Sequence, residues 1–410
     1  MKIAIRIFFL ITVCISCSTF VQGFGILTHE AIIDASWKKS ILPLLKQKFP
    51  DATEEQLKEA QAYVYGGSIF PDIGYQPFGS ILFTNMFHYV RTGDFVENLL
   101  DEAKTLDEYA FAIGALCHYS ADSYGHPEAT NHVVPIVFSR MEKKYGKEVN
   151  YNQAPTKHIQ VEFGFDVLQT AKGNYVRDTY HNFIGFKVSE EVLKRAFLKT
   201  YGLQLKEVFK NFNMAVETFR FSVKSVIPEL TKDAWKVRKS AINKLNPLAT
   251  EENYYYKMKR NDYKHEYNQK FGLKSAFVSL IFGVLPKVGP LAIFKFKEPT
   301  DDGEKLYDRT FQTIVQNYGN ALQKLSNGKN TFRNVDLDTG QPTARYEYEL
   351  TDKTYNKVLK RLRKNNFQYV DDSLRKNIVA FYDQKANNAP AKKVSDSKAD
   401  KALAELKDVR

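Results

Sequence analysis

The chain has 410 residues, of which 43% are hydrophobic and 26% charged, and its formal net charge is +12. This composition is ordinary for a folded globular protein and excludes collagen-like, mucin-like and wholly disordered chains. The length allows one large domain or two. The 30 Phe and 24 Tyr residues supply aromatic surface for a core or for contact with lipid.

The first 23 residues have the pattern of a secretory signal peptide. Lys2 and Arg6 precede a mostly apolar run, which small and polar residues follow. Val21 and Gly23 suit the −3 and −1 positions of a cleavage site, so Phe24 is the expected first residue of the mature chain. The sequence therefore predicts an exported protein, secreted or periplasmic. Loss of Lys2 and Arg6 lowers its net charge from +12 to +10.

Cysteine usage fits this interpretation. Lipid anchoring at Cys17 is the less favoured alternative, because Cys14 stands where a lipobox usually has Leu. Cleavage before Phe24 removes two of the three cysteines and leaves Cys117 alone, so no intramolecular disulfide is expected. Beyond the signal peptide, no run reaches the about 20 apolar residues that a membrane helix needs.

Helical patterning dominates the rest of the chain. Apolar residues recur at helical spacing in 31–49, 53–65, 106–123, 156–170 and 190–226. Only 345–350, which follows turn residues at 338–342, alternates weakly like a strand. We therefore predict an all-α, multi-helix bundle. Its parts are a main domain at 24–245, a helical C-terminal extension packed on it at 246–385, and a polar tail at 386–410 that is disordered or a lone exposed helix.

The strongest local signal comes from the histidines, six of which fall between residues 29 and 158. His118, Asp122 and His126 stand at i, i+4 and i+8, which places them on one narrow stripe of a helix. The residues that lead into this helix are almost wholly apolar, so the stripe is expected to be buried. Since unpaired polar groups are costly in apolar surroundings, a metal ion is the expected partner. A hydrogen-bonded polar stripe is the alternative.

The other candidate ligands are weaker on their own. His158 and Glu162 again stand at i and i+4, a spacing that any helix can carry. His29, Asp72 and His88 occur singly, and Asp72 lies in a predicted loop bounded by Pro and Gly. Imidazole and carboxylate ligands together favour zinc over the all-oxygen sites that calcium and magnesium prefer.

The order and spacing of these residues resemble the motifs of the zinc-dependent phospholipase C family. The wider superfamily includes the S1/P1-type nucleases. The resemblance rests on Phe24-Gly25, Thr28-His29, Phe70-Pro71-Asp72, His88, His118-x3-Asp122-x3-His126 and His158-x3-Glu162. The opening Gly-Ile-Leu-Thr-His-Glu and the spacing of the helical motif are most similar to the glycosylphosphatidylinositol-specific phospholipase D branch. The motifs span residues 24–170, within the predicted main domain, which the resemblance identifies as catalytic.

The resemblance implies three zinc ions in a cleft among helices. Phe24, through its backbone amine and carbonyl, would hold one ion with His29 and Asp122. Asp72, His88 and His118 would hold a second, towards which Asp122 bridges, and His126, His158 and Glu162 would hold the third. Asp72 would also be the bridging carboxylate or general base. The chain departs from the bacterial members of the family in two ways. Their mature chains begin with Trp, where this one offers Phe24. The gap before the last His of their helical motif is longer, which leaves His132 as an alternative to His126.

The function implied by the resemblance is phosphodiester hydrolysis of phospholipid at a membrane surface. Zinc ions neutralise phosphate charge and lower the pKa of bound water toward neutrality. Cleavage on the glycerol side of the phosphate, as in a phospholipase C, is favoured. Cleavage on the headgroup side, as in a phospholipase D, remains an alternative. A single-strand nuclease, with nucleic acid as the partner, and a zinc-stabilised, non-catalytic membrane-surface binding protein are the alternatives. No obligate protein partner is evident.

The sequence offers three candidate surfaces for lipid. Residues 271–296 have the pattern of an interfacial element, with a buried core helix as the alternative. The runs at 254–260 and 357–364 are aromatic-basic and basic, and a solvated surface is their ordinary interpretation. No catalytic constellation is predicted in 245–385.

Overall fold

The computed structural model describes residues 25–172, 185–223, 300–384 and 396–408, together with single positions between 235 and 250. The predicted signal peptide, Phe24, and the segments 254–260 and 271–296 lie outside these residues. Within the described ranges the chain is helical, and the one extended pairing is an isolated antiparallel bridge between Val335 and Pro342. The all-α prediction is confirmed. No helix in these ranges is both long and apolar enough to cross a bilayer.

The helices follow one another with short connections. The first are α1 (Ile26–Ser36), α2 (Leu42–Lys48), α3 (Glu54–Ile69), α4 (Ile81–Tyr89), α5 (Thr92–Glu102) and α6 (Leu106–Gly125). Next come α7 (Asn131–Val137), α8 (Ser139–Tyr145), α9 (Pro155–Lys172), α10 (Glu190–Tyr201), α11 (Leu205–Val208) and α12 (Phe212–Phe221). The described C-terminal helices are α13 (Asp301–Ser326), α14 (Glu349–Lys364), α15 (Asp372–Asp383) and α16 (Ser397–Asp408). Short π-helical turns occupy Trp37–Ile41 and His126–Thr130, and a 3₁₀ helix occupies Phe70–Tyr75.

Helix α6 is the centre of the core. All residues from Tyr109 to His118 are buried, as its apolar sequence predicts. Helix α3 packs closely along one side, and α13 packs on α6 as well, where the Tyr318 hydroxyl donates a hydrogen bond to the Ile113 carbonyl at 2.9 Å. The C-terminal region is therefore part of the same core as the N-terminal helices.

Helix α3 begins with a complete capping box. The Thr53 hydroxyl accepts from the Gln56 N–H at 3.2 Å, and the Gln56 side chain accepts from the Thr53 N–H at 2.9 Å. Thr53→Ala removes the acceptor, so we expect the free energy of unfolding to fall by about 1 kcal/mol. Urea denaturation followed by circular dichroism measures the change. Thr53→Ser keeps the hydroxyl and should stay within about 0.5 kcal/mol of the wild type; an unchanged Thr53→Ala variant would contradict the capping role.

The long helix predicted over 190–226 is interrupted. Gly202, with φ +62°, follows the last turn of α10, and Asn211 caps the start of α12 through its side chain. The left-handed backbone at Gly202 cannot continue a right-handed helix. Apolar spacing alone did not reveal these breaks.

Two C-terminal expectations also differ from the structure. Residues 345–350 form a turn and the start of α14 rather than a strand, although the turn at 338–342 is present. In the predicted tail, residues 397–408 form the packed helix α16, with Ala399, Ala402 and Leu406 buried. These small and apolar side chains lie on one helix face and contact α14 and α15. The expectation of a disordered or lone exposed tail is wrong for this part.

Candidate metal centre

Eight of the nine predicted ligand residues lie together in the structure. They come from separate elements: His29 from α1, Asp72 from the 3₁₀ helix, His88 from α4, His118 and Asp122 from α6, His126 from the π-helical turn, and His158 and Glu162 from α9. All eight are buried, none more than 2% exposed. Asp72 lies in a buried 3₁₀ helix rather than in the predicted loop. The ninth residue, Phe24, lies outside the described residues.

Asp122 is at the middle of this cluster. Its Oδ1 is 3.4 Å from His29 Nε2, and its Oδ2 is 3.3 Å from His88 Nε2. The same Oδ2 is 3.2 Å from His118 Nε2 and 4.0 Å from His126 Nε2. One carboxylate thus borders four imidazoles, as a bridging ligand would.

The geometry forms two tight groups of potential ligand atoms, each with all its atoms within 4.8 Å of one another. One is Asp72, His88 and His118, the same as the predicted second set. The other is His29, His118 and Asp122, which contains the two described members of the predicted Phe24 site. These groups show that the side chains are close enough to share cations. The division among three ions stays a prediction.

The side chains of the third predicted set lie farther apart. Glu162 Oε1 is 3.6 Å from His126 Nε2 and 3.9 Å from His158 Nδ1. The alternative residue, His132, lies on α7, is partly exposed and makes no hydrogen bond or ion pair with the cluster among the described residues. The structure therefore places His126 rather than His132 beside the other candidates.

Backbone carbonyls orient three of the imidazoles, two of them through Nδ1. His88 Nδ1 is 2.8 Å from the Thr84 carbonyl, and His118 Nδ1 is 2.9 Å from the Ser68 carbonyl. A carbonyl only accepts, so each Nδ1 carries a proton, and in the neutral imidazole Nε2 then presents a lone pair to the cluster. Metal-binding histidines typically have this arrangement, in which the outer N–H donates to a carbonyl or carboxylate.

Two further imidazoles, His158 and His126, also have one ring nitrogen on an acceptor and the other facing the cluster. His158 Nε2 donates to the Val149 carbonyl at 2.5 Å, which leaves Nδ1 facing Glu162. His126 Nδ1 is 2.9 Å from Asp338 Oδ1, which leaves Nε2 facing Glu162. Sequence reasoning missed Asp338 because it lies 212 residues from His126 and belongs to no ligand motif. The sequence pattern at 338–342 indicated a turn there, but no role for Asp338.

Two carboxylates provide the clearest test of whether a cation fits. Both oxygens of Asp72 and of Glu162 are buried and accept no hydrogen bond within the part of the chain that the structure describes. Burying ionised oxygens without donors is strongly unfavourable unless a cation or a proton compensates them. Imidazole nitrogens and carboxylate oxygens at this density are a donor set that fits zinc.

The pKa shifts indicate that the buried carboxylates need positive charge nearby. Burial raises the pKa of Asp72, although His118 and His88 partly oppose this, and burial raises that of Glu162 well above its usual range. Burial and the nearby His126 lower the pKa of His158 to about 4. Burial acts to lower the pKa of His126, but the Asp122 and Asp338 carboxylates outweigh it and raise the value to about 10. The carboxylates therefore hold a proton on one imidazole, a compensating charge that metal cations can supply instead.

Part of the chain matches a known protein family. Residues 28–211 match the family described as "Zinc dependent phospholipase C", and this range contains all eight clustered residues. No curated protein and no solved structure matches the chain. Over residues 28–211 the predicted family is confirmed, whereas the phospholipase D branch stays a prediction. Asp338 lies outside the matched range.

Proposed function

We propose that this chain, which through residues 28–211 belongs to the zinc-dependent phospholipase C family, hydrolyses phospholipids through a three-zinc centre. The observation that carries the proposal is the meeting of eight buried imidazole and carboxylate side chains from six separate elements. A structural polar stripe would satisfy its carboxylates with donors, whereas Asp72 and Glu162 have none among the described residues. This difference favours a metal centre.

The proposed sets are Phe24, His29 and Asp122; Asp72, His88 and His118; and His126, His158 and Glu162. Bound zinc supplies charge neutralisation for a phosphodiester and lowers the pKa of a coordinated water. We assign Asp72 as the general base that takes up a proton at a carboxylate oxygen. Neither of its oxygens accepts a hydrogen bond from a described residue, and burial raises its pKa, so the carboxylate is suited to accepting a proton.

Aromatic side chains help to exclude water from the centre. The Phe87 ring contacts the imidazoles of His118 and His88 edge-on, with centroids 5.3 Å and 6.0 Å apart. Apolar walls of this kind lower the local dielectric and strengthen the interaction of the protein's charges with a phosphate.

Phospholipid is the proposed substrate because both the motif spacing and the matched family favour it over nucleic acid. Export is proposed from the signal-peptide pattern of residues 1–23, and it would place the enzyme outside the cytoplasm, secreted or periplasmic. The basic character of the chain, with net charge +12, suits contact with an anionic membrane surface but equally suits nucleic acid. A single-strand nuclease is therefore the second candidate.

Asp72→Asn is expected to lower the kcat on phosphatidylcholine vesicles by at least about 100-fold, because the amide cannot take up the proton. Phosphatidylcholine turnover, zinc content and circular dichroism are measured on the same preparation. Asp51→Asn changes an exposed carboxylate between α2 and α3 and should leave the rate unchanged. Full activity in both Asp72→Asn and His118→Ala would overturn the assignment.

The products and substrates separate the alternatives. Diacylglycerol indicates phospholipase C chemistry, and phosphatidic acid indicates the phospholipase D side. Cleavage of single-stranded DNA without lipid turnover indicates the nuclease. Zinc-dependent vesicle binding without any turnover indicates a binding protein.

A further inference from the structure

We propose that Asp338, from the C-terminal region beyond the family match, is a positioning residue of the metal centre. Its carboxylate holds His126 with Nε2 directed at Glu162, and thereby strengthens zinc binding by the set that contains His126, His158 and Glu162. The inference rests on the proposed zinc-dependent function. It assigns part of the metal centre to a segment that the catalytic motifs do not include.

Three donors among the described residues hold the Asp338 carboxylate. Its Oδ1 accepts from His126 Nδ1 at 2.9 Å, while its Oδ2 accepts from the Tyr89 hydroxyl at 2.8 Å and the Tyr348 hydroxyl at 2.5 Å. Because the two hydroxyls occupy Oδ2, the carboxylate is fixed with Oδ1 towards the imidazole. A carboxylate in this position keeps the proton on Nδ1 and leaves the Nε2 lone pair for a cation.

The turn that carries Asp338 is docked directly on the ligand-bearing helices. The Leu337 N–H donates to the His88 carbonyl at 3.1 Å, and the Asn131 side-chain amide donates to the Asp338 carbonyl at 2.9 Å. Gly340, with φ +67°, brings the turn so close to the end of α6 that an added Cβ would lie 2.8 Å from the Ser123 carbonyl. The position of Asp338 is therefore set by backbone contacts as well as by its own side chain.

His126 differs from the other oriented imidazoles in having an outer partner from beyond the matched range. The Nδ1 groups of His88 and His118 and the Nε2 group of His158 donate to backbone carbonyls within the matched range. His126 instead opens a π-helical turn and receives its partner from the C-terminal region. A carboxylate partner also makes the imidazole a stronger ligand than a carbonyl does, and loss of such a partner typically weakens metal binding 10- to 100-fold.

Zinc affinity, measured by competition with a chromophoric chelator, tests the proposal without relying on turnover. We expect one zinc of Asp338→Ala to bind about 10- to 100-fold less tightly than the corresponding zinc of the wild type, with the remaining zinc unaffected. The matched control is Asp336→Asn in the same turn. The Asp336 carboxylate is also buried, but its contacts are the Thr351 hydroxyl and the N–H groups of Asp338 and Thr339.

A second variant covers the case in which Asp338→Ala does not fold. Asp338→Asn is isosteric and keeps an acceptor oxygen, so it should fold and show a smaller but measurable loss of zinc affinity. Wild-type affinity in folded Asp338→Asn and, where it folds, Asp338→Ala would overturn the positioning role while leaving the proposed function intact. An equal loss in Asp336→Asn would also overturn it, because the effect would then come from the fold of the turn. A wild-type protein without zinc would overturn the proposed function and this inference together.

Discussion

Asp122→Asn is expected to reduce phospholipid turnover by at least about 1,000-fold, more than the 10- to 100-fold loss typical of outer-shell partners. Asp122 borders His29, His88 and His118 at 3.2–3.4 Å and His126 at 4.0 Å. No other carboxylate in the described cluster is within 4 Å of so many imidazoles. Removing its charge should therefore weaken zinc binding at more than one of the proposed sites. Zinc per folded chain, measured by mass spectrometry of the metal, and turnover on vesicles check this expectation.

The control for Asp122→Asn is the next residue of the same helix. Ser123→Ala removes a hydroxyl that lies 3.5 Å from the Ser120 carbonyl, and it should leave both zinc content and rate unchanged. If folded Asp122→Asn retained the wild-type zinc content and rate, the cluster could not be the catalytic centre. If it retained zinc but lost activity, Asp122 would act on the substrate or on another catalytic group rather than in metal retention.

Local spacing singled out five of the eight clustered residues: His118, Asp122, His126, His158 and Glu162. His118 and Asp122 lie on one buried face of α6, and His158 and Glu162 meet within α9, because residues four apart share a helix face. His126 lies beside the cluster even though α6 ends at Gly125 and a π-helical turn follows. The π-helical turn keeps the His126 imidazole close to Asp122, so the polar stripe of α6 continues past the end of that helix.

The residues that sequence reasoning missed depend on contacts between distant segments. The Ser68 carbonyl reaches His118 only because α3 crosses α6 closely, and Asp338 reaches His126 only because the C-terminal turn docks on α4 and α7. Hydrophobic periodicity records which face of a helix is buried, but not which element covers it. Single-sequence spacing therefore found clustered side chains and not the groups that orient them.

The close crossing of α3 and α6 leads to the largest expected effect on stability. At Gly114, an added Cβ would lie 2.1 Å from the Val64 carbonyl oxygen and 2.9 Å from the Gly67 Cα. Both neighbours are backbone atoms, so the two helices must separate to admit a methyl group. We expect Gly114→Ala to lower the free energy of unfolding by about 3 kcal/mol, the upper end for overpacked cores. Urea denaturation measures it.

Separation of the helices should also weaken zinc binding, because the Ser68 carbonyl that orients His118 follows Gly67 on α3. Gly319→Ala on α13 is the matched control, since among the described residues its Cβ would meet only the Ser40 hydroxyl at 3.5 Å, an ordinary contact. That variant should be slightly more stable than the wild type, by about 0.5–1 kcal/mol, since alanine favours the helix over glycine. A Gly114→Ala protein as stable as Gly319→Ala would show that the α3–α6 contact adapts to a methyl group. The orientation of His118 would then not depend on how closely these two backbones approach.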